Sequence, residues 1–150
     1  MNLLLAKFKR EFPFWNIRAF TLDDFNSYCR RKGIKIHEMP MKTAAMFGVS
    51  RSKPNIYLDT KTQGIARLHA ALHELGHYLL HTPPYETVTY YYRLKPNTRE
   101  EIEADAFAIV ALIPAGLMKK LLSSDEYSIE YGMSAALLRE RCQLYMRYGI

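Results

Sequence analysis

The chain has 150 residues, of which 49% are hydrophobic and 24% charged, and a net charge of +6. Such a length and balance suit one globular domain with its own core, and they exclude a disordered tail or a span of roughly 20 apolar residues crossing a bilayer. The charge is uneven, with 11 Lys and Arg against 5 Asp and Glu in residues 1–60 and 10 against 10 in the remainder, but it is scattered rather than gathered into a nucleic-acid footprint.

At the N-terminus the apolar run Leu3 to Ala6 precedes Lys7, Lys9 and Arg10, the reverse of a secretory signal, so the expected location is the cytoplasm. Thr21-Leu-Asp-Asp24 reads as a helix start, with Thr21 as the cap and acids in the first turn. Gly33 stops that helix. Arg30-Arg31-Lys32, the densest basic cluster, then complements the dipole of the helix end. Cys29 and Cys142 stand alone, with no Cys-x-x-Cys pair, and read as reduced thiols rather than a disulfide or a zinc site. Ile34 to Met39 alternates as a half-buried strand does. Ala44 to Val49 and Ile56 to Leu58 read as two more strands joined by a turn over residues 50–55.

A long helical pattern follows from about Thr62 to His81, ended by Pro83-Pro84. Val88 to Leu94 is β-branched and aromatic and reads as a strand or extended loop. A second strong helix spans about Thr98 to Leu112, a short one Leu117 to Leu122, and a last one begins at Ser134. Helix, short strands and then helices predict an α+β fold with a small antiparallel sheet, in a single domain over residues 1–150.

The chemistry concentrates in His73-Glu-Leu-Gly-His77. His-Glu-x-x-His puts two imidazoles one helical turn apart, where both reach a single zinc ion, and sets Glu74 beside the metal as a proton acceptor. At about 100° per residue, His69, His73, His77 and His81 share one side of the helix. Ile65, Leu68, Leu72, Leu75 and Leu79 form a stripe centred roughly 140° away. The leucines can enter a core while the histidines face a cleft. One tetrahedral ion cannot take four histidines from one straight helix, so His69 and His81 read as supporting or structural. His37 has no partner in the pattern.

A catalytic zinc needs a third protein ligand. Glu101 and Asp105 lie four apart on one face of the second helix, whereas Glu103 points about 160° away. Glu101 is the expected ligand and Asp105 its companion, accepting a hydrogen bond from a ligand imidazole. The competing reading is a capping box in Thr98-Arg-Glu-Glu101, where Glu101 would only satisfy a backbone N–H.

These residues carry a resemblance. His73-Glu-Leu-Gly-His-Tyr-Leu-Leu-His81, then Glu101-Ile-Glu-Ala-Asp-Ala-Phe-Ala108 and Leu112-Ile-Pro114, resemble the ImmA/IrrE metallopeptidases, with weaker similarity before residue 60 and over Ser134 to Arg141. The resemblance implies a zincin-like core of gluzincin type, built from the His-Glu-x-x-His helix and a second ligand-bearing helix. It implies His73, His77 and Glu101 as zinc ligands and Glu74 as general base. It also implies a zinc-dependent endopeptidase whose protein partner is a helix-turn-helix repressor of a mobile element or stress response. The rival within the family is a zinc-containing anti-repressor module with little intrinsic proteolysis. Tyr90, Tyr91, Tyr92 and Arg93 are candidate oxyanion donors, with aromatic strand packing as the alternative.

Overall fold

The computed structural model describes residues 2–81, 98–123 and 132–150, with the side chains of residues 2–4 excluded. The expected strand over Val88 to Leu94 and the candidates Tyr90 to Arg93 lie outside these residues. Among the described residues there are six helices and a three-stranded sheet, the α+β class that the element order predicts. No single described helix is long and apolar enough to cross a membrane. The chain groups into two compact units, residues 21–105 and residues 1–20 with 106–150.

The first unit opens with α2, Leu22–Lys32. Thr21 caps it in a full capping box with Asp24, and Gly33 ends it in the left-handed conformation, at φ 69°. Phe25, Tyr28 and Cys29 form its buried face, and burial pushes the Cys29 thiol pKa up to about 12. Three strands follow: β1 (Lys35–Met39), β2 (Ala45–Ser50) and β3 (Lys53–Asp59).

The sheet differs from expectation in three respects. Its order is β1-β3-β2, and β1 runs parallel to β3 while β2 runs antiparallel, so it is mixed rather than wholly antiparallel. Residues 40–44 carry the chain across the end of β3, where the Asp59 carboxylate accepts from the Met41 N–H at 2.9 Å and the Asp59 N–H donates to the Ala44 carbonyl. That crossover leaves the place beside β1 to β3 and makes the β1–β3 pair parallel. The β2–β3 turn is also tighter than residues 50–55. Ser50 already pairs with Lys53, and only Arg51 and Ser52 turn, both with positive φ. Such a two-residue turn matches the twist of the strands, although glycine or asparagine usually supplies it. Finally, Pro54 sits in the central strand. It is tolerated because β1 pairs only from Asn55 onward, leaving the missing N–H no ladder to break.

The same Asp59 carboxylate accepts from the Lys61 and Thr62 N–H groups and the Thr62 hydroxyl, which directs the chain from β3 into α3, Gly64–His81. Those hydrogen bonds, the one from Met41 foremost, outweigh burial and hold the Asp59 pKa below the ordinary carboxylate value. Ala71, Leu72, Leu75 and Leu79 are the buried apolar face of α3, and Tyr78 meets Phe47 of β2 edge-on. The unit closes with the first part of α4, Arg99–Leu112.

The other unit holds α1 (Asn2–Glu11), the rest of α4, α5 (Ala115–Ser123) and α6 (Ala135–Tyr148). Helix α1 was not among the elements expected, although Phe8 and Phe12 recur at i and i+4. With Trp15, Phe20 and Phe107 they build an aromatic core, and the Trp15 indole donates to the Phe107 carbonyl. Arg141 is fully buried and donates to the carbonyls of Ile113 and Ile150 and to the Asn16 side chain. Ser134 caps α6, as its hydroxyl predicts.

Candidate metal centre

The site is built by two helices of one unit. Helix α3 presents His73 and His77 four residues apart, and the start of α4 presents Glu101 and Asp105 at the same spacing. What brings the helices together is Gly76. A Cβ there would lie 2.9 Å from the Ala104 Cα and 3.2 Å from its carbonyl oxygen, so only glycine admits this approach. Around α4, at about 100° per residue, Glu101 and Asp105 then fall to one side of Ala104 and Glu103 to the other.

The imidazoles converge on the Glu101 carboxylate. His73 Nε2 and His77 Nε2 are 3.0 Å apart, and each lies 3.3 Å from one Glu101 oxygen. The Thr98 hydroxyl accepts from the Glu101 N–H, so this helix end is capped while the Glu101 carboxylate faces the imidazoles. One donor atom from each of the three residues lies within 4.8 Å of the others. Ligands at zinc bond lengths on a tetrahedron are separated by roughly 3.3 Å, so two nitrogens and one carboxylate in this arrangement suit such an ion.

The far side of each ring is also engaged. His73 Nδ1 lies 2.6 Å from Asp105 Oδ1. His77 Nδ1 lies 3.0 Å from His81 Nδ1, and His81 Nε2 lies 3.2 Å from Glu103 Oε2. The Arg99 Nε–H donates to the other Glu103 oxygen at 2.7 Å. Glu74, half-buried beside His73 in sequence, adds its negative charge to the His73 environment.

The electrostatics differ between the two rings. Burial works to lower the pKa of His73, but the Asp105 hydrogen bond and charge, with Glu74 and Glu101, outweigh it and raise the pKa. Burial, reinforced by electrostatic coupling to the neighbouring His73 and His81 rings, pushes His77 down to about 4. A neutral imidazole is the form that can ligate a cation. Asp105 is held below its ordinary value despite burial, first by its hydrogen bond to His73. Burial also lowers His69, whose Nε2 has no hydrogen-bond partner among the described residues.

A family model described as Peptidase_M78, IrrE N-terminal-like domain, matches residues 29–145. The chain belongs to that family. This IrrE N-terminal-like domain is thus a peptidase-type domain with metal-binding potential in the cluster His73, His77 and Glu101. No curated protein matches the chain significantly.

The structure gathers His73, His77, Glu101 and Asp105, all named from sequence. His81 stands beside His77, in keeping with its reading as a supporting residue, and Glu103, which the sequence placed away from the site, joins it. Spacing from His77 put His81 on the ligand face, but the angle of Glu103 suggested a remote position. The close Gly76–Ala104 contact brings that side of α4 within reach of α3 as well. His37 belongs elsewhere, bonded to Asn55 and stacked on Tyr57 within the sheet.

Proposed function

We propose that this protein is a zinc-dependent endopeptidase of the cytoplasm, with His73, His77 and Glu101 as zinc ligands and Glu74 as general base. The observation that carries the reading is the convergence of two imidazole nitrogens and a carboxylate from α3 and α4 in a chain of the peptidase family. When bound, the zinc supplies Lewis acidity toward water and the scissile carbonyl. Glu74 accepts the proton of the attacking water as the new C–O bond forms. It returns that proton to the amine as the C–N bond breaks. Asp105 holds His73 through Nδ1, so that Nε2 turns to the ligand position.

An extended substrate can add to a sheet edge through backbone pairing. Asn55 to Asp59 of β3 is paired on both sides, so among the described residues the edges are β1 and β2. The substrate we infer is a helix-turn-helix repressor, on the strength of the resemblance carried by residues 73–81 and 101–114.

Co-expression with a helix-turn-helix protein encoded beside this gene, followed by intact-mass analysis, tests the reading. Wild type is expected to produce defined fragments and Glu74→Gln none, with a rate loss of about 10²- to 10⁴-fold for a missing general base. If both relieve repression while the repressor stays intact, the anti-repressor module replaces the peptidase.

A further inference from the structure

A chain of side chains leads away from His77 and ends on Arg99. His77 Nδ1 is 3.0 Å from His81 Nδ1, His81 Nε2 is 3.2 Å from Glu103 Oε2, and Arg99 Nε is 2.7 Å from Glu103 Oε1. The side chains of His77, His81 and Glu103 are 3%, 10% and 11% exposed, so the inner links are largely shielded from water.

Hydrogen-bond chemistry sets the direction of this chain. Of two imidazole nitrogens facing at that distance, one must carry the proton and the other a lone pair. The Nε2 of His77 faces Glu101 and the Nε2 of His73. A cation held there takes the Nε2 lone pair, so the ring proton sits on Nδ1 and is donated to His81. His81 must then accept through Nδ1 and carry its own proton on Nε2, which donates to the Glu103 carboxylate. The opposite arrangement aims a proton at the cation and a bare nitrogen at a carboxylate. Only one order satisfies every link, and the Arg99 guanidinium anchors the far oxygen.

The geometry points to His81 and Glu103 as positioning residues for a metal site, fixing the tautomer and orientation of His77 as Asp105 fixes those of His73. This rests on the reading of His77 as a ligand. It also sets a difference between the two rings: His73 meets its carboxylate directly, whereas His77 meets one through an intervening neutral imidazole. Second-layer partners of this kind typically change metal affinity by about 10- to 100-fold.

The test uses the full chain loaded with zinc. Long-range ¹H–¹⁵N spectra of wild type are expected to show His77 protonated on Nδ1 and His81 on Nε2. Chelator competition is expected to show His81→Phe binding zinc about 10- to 100-fold more weakly. His81→Asn, which keeps an acceptor near the Nδ1 position, recovers part of that loss, and Glu103→Gln shifts the His81 tautomer populations. Far-UV circular dichroism checks that each variant folds; should His81→Phe not fold, His81→Asn and the wild-type spectra decide. A His81 protonated on Nδ1, or a folded His81→Phe that binds zinc as tightly as wild type, overturns the relay while leaving the metal site intact. Wild type without stoichiometric zinc overturns both.

Discussion

Gly76 and Ala104 touch backbone to backbone: a Cβ at position 76 would sit 2.9 Å from the Ala104 Cα. Helix α4 carries Glu101, so this contact sets the distance between the carboxylate and the two histidines. Gly76→Ala gains about 1 kcal/mol in intrinsic helix propensity. The clash is with backbone, which cannot rotate away, and such overpacking typically costs about 1–3 kcal/mol. Urea unfolding is expected to show a net loss of stability, and zinc affinity is expected to fall as α4 is pushed outward. A variant as stable as wild type with undiminished zinc affinity would show that the helices have slack.

Glu101→Gln should weaken zinc binding more than any other single change on α4, because it removes the negative charge of the carboxylate whose two oxygens lie 3.3 Å from His73 and from His77 respectively. Asp105→Asn is expected to weaken it about 10- to 100-fold, acting through His73. Chelator competition on both variants measures the order. If Asp105→Asn proved the more damaging, the roles of the two carboxylates would be reversed.

Much of this site was legible before the fold was. A His-Glu-x-x-His pattern opposite a leucine stripe needs only the 3.6-residue period, and the same period separates Glu101 and Asp105 from Glu103. What one helix's period cannot supply is the distance to its neighbour, and therefore Glu103 was assigned to a remote side when it meets His81. The parallel β1–β3 pairing was hidden for a related reason: it depends on residues 40–44 crossing the end of β3, a non-local event. The Arg51-Ser52 turn was missed because neither residue announces a positive φ.

Asp59 provides a pH signature away from the metal site. Its carboxylate accepts from Met41, Lys61 and Thr62, and its folded pKa lies below that of the unfolded chain. A depressed carboxyl contributes stability above the unfolded value, about 3.9, and loses it as pH falls through the folded value. Thermal melts should therefore show wild type more stable than Asp59→Asn at neutral pH, with the gap closing as the pH drops below about 4. A gap that stays constant as the pH falls well below that value would mean that the charge of Asp59 contributes nothing.

The proposed site has His73, His77 and Glu101 holding one metal ion beside Glu74 as base. Elemental analysis of protein purified without chelator tests it most directly. Wild type and Glu74→Gln are each expected to carry about one zinc per chain, since a tetrahedral site with three protein ligands and one open position has no need of Glu74. His73→Ala and His77→Ala are expected to lose most of that metal. Wild-type protein without stoichiometric metal, or a His77→Ala variant that retains it, would rule out this metal site.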